Sequence, residues 1–263
     1  MKSGSLVLAL CGLSAAALFV GARACSHASP DDVPRTPAPP GGRAKAGKTG
    51  SASIAGTVRY GGPPLAPPRP AGLATAGCEG RRPQTALQIA GDRVASAFVF
   101  IREGLEAGDY PVPEAPLTLD QQGCEFSPRV FGIRDGQPLE LVNDDPTLHN
   151  VHALGEGGGF LSRGANAFNV AMPVQHGRVR RRFDAPQTMV TVVCDVHPWM
   201  RAYAGVVAHP FFAVSAADGS YRISGLPEGR FVVEAWQERL GRTSAEVVVS
   251  TGESAALDLS YPR

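Results

Sequence analysis

No sign of charge dominates this chain. Its 25 Lys and Arg stand against 24 Asp and Glu, a formal net charge of +1, so bulk electrostatics give no case for nucleic acid or an anionic membrane as partner. No segment holds an apolar repeat of helical period over three turns, which leaves room for little more than a helical turn. Aromatic residues are scarce at 7%, whereas 31 Gly and 23 Pro point to many turns. After the first apolar run nothing looks like a stop-transfer segment. The 43% hydrophobic share is ample for a buried core, and 263 residues exceed one average domain.

The start of the chain reads as an export signal over residues 1–24. Lys2 supplies a positive region, SLVLALCGLSAAALFV an apolar run, and Ala22-Arg23-Ala24 a small-x-small cleavage site. A retained anchor and lipidation of Cys25 are the alternatives; Ala22, three residues before that cysteine, stands where bacterial lipoprotein signals usually carry Leu. An exported protein sits in a periplasmic, envelope or extracellular compartment, where cysteines normally pair. Cys11 leaves with the signal and Cys25 sits at its edge, so Cys78, Cys124 and Cys194 remain and one of them is odd. Cys78 and Cys124 lie in glycine-flanked stretches without other donors nearby in sequence, either as a disulfide or as two buried thiols; Cys194 is the odd one.

Residues 25–52, rich in Pro, Gly, Ala and charge, read as a disordered tether. Beyond it short runs of Val, Ile, Phe and Thr recur between turn residues: SIAGTVRY, ASAFVFIRE, PLELVND, TMVTVVC, YAGVVAH, RFVVEAW, AEVVVS. The pattern is all-β, a sandwich or barrel. Residues 53–92 form an N-terminal strand region, and a joint falls near residue 208. Downstream, 209–263 carry a DG turn, a PEG turn and about four strands, with Tyr221, Ile223, Phe231, Val233 and Trp236 expected to face inward. In turn and strand spacing this stretch resembles the small antiparallel β-sandwich of carboxypeptidase regulatory-like domains. It is thin for an independent core, and IAGTVRY and AFVFIRE are strands it could borrow, which would make the stretch between them an insertion.

The chemistry concentrates in CDVHPWM. Cys194 ends a buried-strand pattern, and Pro198 prevents His197 and Met200 from continuing into a helix. Thiol, imidazole and thioether must curl around one point, and the thioether favours copper over zinc, calcium or magnesium. A further donor is available in LVNDDPTLHNVHA, where His149 and His152 follow another strand. His176 and His209 read as surface residues.

A strand followed by His149-Asn150, then the Cys194-x-x-His197-x-x-Met200 loop with its proline, resembles the cupredoxins, and among them amicyanin and plastocyanin-like proteins. The similarity spans about residues 93–208. It implies a Greek-key β-sandwich holding one type 1 copper, ligated by His149, Cys194 and His197 with a long axial bond to Met200. It also implies that the Asn150 side chain ties the two ligand loops together and that His152 is not a ligand. The neighbours of Cys194 are Val193 and Asp195, not the histidines that feed a trinuclear oxidase cluster, and Val190 and Pro198 stand where a binuclear centre needs a second cysteine. The implied function is single-electron transfer, not catalysis, with a c-type cytochrome or periplasmic oxidoreductase as partner. Pro198, Trp199, Met172 and Pro173 could form the docking patch, and Arg178, Arg180, Arg181 and Arg182 could steer an acidic partner or line a solvated strand face. A copper carrier or buffer, and a structural sandwich with a vestigial site, stay open as other classes.

Overall fold

The first alternating run becomes an interior strand. β1 (Ala52–Tyr60) sets Ile54 and Val58 fully into the core. It pairs antiparallel with β15 (Ser220–Leu226) and parallel with the short β18 (Ser254–Ala256) and β19 (Leu259–Tyr261). A small hairpin, β2 (Ile89–Ala90) and β3 (Arg93–Val94), joins it at Arg59. A second sheet runs in the order β14 (Phe212–Val214), β4 (Phe98–Glu103), β16 (Gly229–Gln237), β17 (Gly241–Val249). Between the two sheets Ile54, Val58, Val99, Ile101, Tyr221, Ile223, Phe231 and Val233 form one apolar core. We term this the frame sandwich.

The chain between β4 and β14 builds another. One sheet has the order β10 (Asn166–Met172), β9 (His149–Leu154), β12 (Gln187–Val193), β13 (Arg201–Val207), β7 (Val130–Arg134). The other has the order β11 (Gly177–Arg181), β8 (Leu139–Asn143), β5 (Leu117–Gln121), β6 (Phe126–Ser127). Leu119, Ile133, Leu141, Val151, Phe183, Val190 and Val192 fill the space between them. This is the inserted sandwich. The computed structural model describes residues 45–63, 65, 77–79, 88–155, 166–173 and 175–262. Among these there is no α-helix, so none is long and apolar enough to cross a membrane. The expected signal over 1–24, with Cys11 and Cys25, and residues 156–165 lie outside the described residues.

The two sandwiches share a third apolar cluster, in which Phe98 and Phe100 of β4 meet Val130, Met189, Tyr203 and Val207. Gly132 and Gly205 are register partners in the parallel β7–β13 pair. A Cβ on Gly205 would fall 2.3 Å from the Phe98 ring, and one on Gly132 2.3 Å from the Phe212 ring. Bare backbone is therefore what lets these rings lie flat on the sheet. At the same junction Arg129 grips Glu238 with two bonds from Nη2, at 2.7 and 2.8 Å.

One open question is answered here and three sequence expectations change. AFVFIRE, placed in the stretch 93–208 but also offered as a strand that the C-terminal sandwich could borrow, hydrogen-bonds to β14 and β16; Val99 and Ile101 face the frame core while Phe98 and Phe100 face the insertion, so both faces are buried. The tail of the expected tether is ordered, since Gly47 N–H donates to Asp109 O at 2.7 Å and Gly50 N–H to Gly225 O at 2.8 Å. Trp236 points away from the frame core onto Tyr203, ring centroids 4.9 Å apart, because on β16 the inward positions are Phe231, Val233 and Ala235. His209 is not a surface residue: Nε2–H donates to Ile101 O at 2.9 Å, and Nδ1 accepts from Phe211 N–H at 3.2 Å.

Candidate metal centre

The site forms where two neighbouring strands of the inserted sandwich reach the same end. β9 begins at His149, and antiparallel β12 ends one residue before Cys194. The loop back to β13 is closed tightly: Met200 N–H donates to His197 O at 2.9 Å, and Cys194 N–H to Met200 O at 3.3 Å. Three donors converge as a result. His149 Nδ1 lies 2.9 Å from His197 Nδ1, and Cys194 Sγ lies 3.9 Å and 3.7 Å from these two atoms. His149 and His197 are 0% exposed, Cys194 and Met200 1%. Met200 belongs to the same buried cluster as Cys194.

Each imidazole is held in a form that can donate electrons. Burial pushes the pKa of His149 down, against the opposing pull of Asp145; burial does the same to His197, reinforced by charge on His149. Burial also pushes the Cys194 thiol up, more strongly than the backbone N–H groups around it pull it down. Two imidazoles biased by burial towards their neutral form and a buried thiol beside them fit a soft metal ion.

Sequence reasoning missed the residue that aims the site. Asp145 Oδ2 accepts from His149 Nε2–H at 3.0 Å, which leaves the lone pair on Nδ1, the atom facing Cys194 and His197. The carboxylate is itself fixed by N–H groups of Gly123 and Cys124, both at 2.7 Å. Asn143 braces the same turn through Thr147 O and Met172 O, both at 2.9 Å. The acid stands four residues before the histidine in DDPTLH, a spacing that carries meaning only once the turn is known.

Asn150 does tie the two ligand segments together. Its Nδ2 donates to Asp195 Oδ2 at 2.8 Å, and its Oδ1 accepts from Asp195 N–H. Asp195 also takes bonds from Asn169 and His152 at 3.1 Å. Burial opposes its charge, but these bonds outweigh it and hold the carboxyl below its ordinary value. His152 is therefore committed to Asp195 through Nδ1 and lies outside the donor cluster.

Cys78 and Cys124 form a disulfide, and its position is unexpected. Cys78 Sγ and one ring nitrogen from each of His149 and His197 lie within 4.8 Å of one another; so do Cys124 Sγ, an Asp145 oxygen and a His149 nitrogen. Forty-six residues of sequence separate the two cysteines, and neither lies near the histidines in the chain.

The expected docking patch needs correction. Pro198 and Pro173 are exposed, but Trp199 and Met172 are core residues at 7% and 1% exposure. The Trp199 indole N–H donates to Cys124 O at 3.1 Å and its ring leans on His197, centroids 5.1 Å apart. Met172 is the register partner of His149 and shares its inward face. The large apolar side chains that do reach solvent here are Leu148 and Val196, each immediately preceding a histidine of the cluster. On β11, Arg178 and Arg180 both bond Glu140 on the neighbouring strand. Arg181 bonds its neighbour's carbonyl and Arg182 bonds Gly136 O, and exposed His176 pairs with Asp144 at 3.0 Å.

No family model matches the chain, and no curated protein matches it. Among solved structures it is similar to a Cu(I) form of an amicyanin mutant at 18% identity, covering 36% of this chain and 86% of that one with a TM-score of 0.30. A reduced amicyanin mutant gives 18%, 41%, 98% and 0.30. A copper-containing nitrite reductase from Thermus scotoductus gives 22% identity over 40% of this chain and 25% of the other, with a TM-score of 0.29.

Proposed function

We propose that this chain is an exported mononuclear blue copper protein, not an enzyme, which carries single electrons between redox proteins of the periplasm or cell envelope. The observation behind this reading is the convergence of His149 Nδ1, His197 Nδ1 and Cys194 Sγ within 3.9 Å in a buried pocket, with the Met200 thioether three residues further on. Copper, when bound, would supply a one-electron couple.

The chain's own groups do the rest. Asp145 holds His149 in one tautomer, and Asn150 with Asp195 clamps β9 to the cysteine loop. Donors locked this way need little rearrangement when charge at the site changes, and their burial excludes water. Leu148, at 45% exposure, and Val196, at 37%, form with Pro173 and Pro198 a small apolar rim suited to brief docking of a c-type cytochrome or a periplasmic oxidoreductase.

The test is the visible spectrum of protein titrated with Cu(II). An intense thiolate-to-copper band is expected, absent in Cys194→Ser and retained, with a raised reduction potential, in Met200→Leu. A colourless wild-type protein, or a Cys194→Ser variant that stays coloured, would overturn the assignment.

A further inference from the structure

A disulfide placed against a ligand cluster is also a closed pair of soft donors. Cys78 and Cys124 are 0% and 1% exposed, and their sulfurs lie with His149, His197 and Asp145 inside spans of 4.8 Å. Donors that share one ion at bond lengths of about 2.0–2.3 Å sit no more than roughly 4.5 Å apart, so a small shift would bring these sulfurs into reach. The Cys124 backbone is held independently of its sulfur. Its N–H donates to Asp145 Oδ2 at 2.7 Å and its carbonyl accepts from Trp199 Nε1–H at 3.1 Å. Opening the bond to Cys78 would leave that residue in place, next to the same imidazoles.

We infer that the Cys78–Cys124 disulfide is a redox-controlled part of the metal centre. Closed, the centre offers His149, His197 and Cys194; opened, it gains two thiols beside the same histidines and becomes a thiolate-rich site for soft cations such as Cu(I) or Cd(II). The inference rests on the His149–Cys194–His197 reading of the site. In the opening step a dithiol reductant closes to its own disulfide. It passes two electrons and two protons to the Cys78–Cys124 bond, which breaks to two thiols. Each thiol then releases its proton to solvent as the cation binds.

The experiment uses the full chain carrying Cys11→Ser and Cys25→Ser, so that three cysteines can respond. Cd(II) is titrated without oxygen, before and after treatment with a dithiol that is then removed, and the ultraviolet thiolate-to-cadmium band is measured. Reduction should raise that band about threefold, one thiolate becoming three. Adding Cys78→Ser and Cys124→Ser should hold it at the one-thiolate level whatever the treatment. Adding Cys194→Ser instead should leave no band before reduction and about two-thirds of the full band after it. A one-thiolate band that reduction does not increase overturns the inference and leaves the copper reading standing. No band in the untreated protein overturns both. A reduced protein that loses its cooperative melt also overturns the inference, since the donors must stay assembled on a folded sandwich.

Discussion

The two sandwiches are built from the same kind of strand but bury different things. In the frame sandwich the buried side chains of Glu234 and Ser215 are answered. Glu234 is paired with Arg102 and Arg242, and Ser215 receives the Ala97 N–H and donates to Val94 O. In the inserted sandwich three imidazoles, a thiol, Asp145 and Asn143 are buried. Among the described residues, His152 Nε2, His197 Nε2, Gln121 Oε1 and Asp120 Oδ1 are buried there without a hydrogen-bond partner, against Tyr261 Oη in the frame. An unanswered buried polar atom costs about 1–3 kcal/mol. The insertion thus holds more unanswered polar atoms than the frame, beside its reactive side chains.

If that division is right, mutations should sort by sandwich. The largest effect should come from Phe231→Ala in the frame core, a loss of about 4 kcal/mol in chemical denaturation, with copper affinity of the still-folded protein unchanged. A parallel loss of metal affinity would show that the two regions are energetically one. Next is acid. Burial pushes His209, at the joint, down to about 4 from 6.5. Its neutral form is the one that folds, so its contribution is complete above about pH 6.5 and is lost as pH falls towards 4, about 3 kcal/mol in all. His209→Gln should flatten that part of the stability–pH curve, and an unchanged slope would move the acid sensitivity elsewhere.

Asp145→Asn should reverse the pattern seen with Phe231. We expect copper affinity to fall about 10- to 100-fold, roughly 1.4–2.7 kcal/mol, because His149 loses the acceptor that fixes its ring, with a smaller loss than Phe231→Ala in the metal-free protein, about 1–3 kcal/mol, for the backbone N–H left facing the new amide. The smallest effect on stability should be that of Leu148→Ser together with Val196→Ser, within about 0.5 kcal/mol of wild type. The same pair should slow electron exchange with a redox partner in stopped-flow measurements, and an unchanged rate would place docking elsewhere.

Much of this was readable in the chain itself where the signal is contiguous. Cys194, His197 and Met200 occupy one loop, and Phe231 and Val233 face inward as expected, whereas Trp236, expected beside them, falls on the other face of β16 because strand alternation groups Phe231 and Val233 with Ala235. The uninterrupted apolar run of AFVFIRE likewise fits a strand covered on both sides. What could not be read depends on registers between distant segments. Asp145 matters only because a turn folds it back on His149. Gly132 and Gly205 become neighbours only through the β7–β13 pairing, and nothing in the chain places Cys78 beside the histidines. The docking patch failed for a related reason: Trp199 looks like a surface aromatic until its N–H finds the Cys124 carbonyl.

The pairing of β1 with β18 and β19 has a consequence for the order in which the molecule can be made. Val58 meets Leu259, about 200 residues later in synthesis, so the sheet containing β1 is incomplete until the last strands have emerged. β9, which carries His149, and the loop between β12 and β13, which carries Cys194, His197 and Met200, are finished before β14 begins. A nascent chain therefore holds His149, Cys194, His197 and Met200 complete while the sheet around β1 is still open.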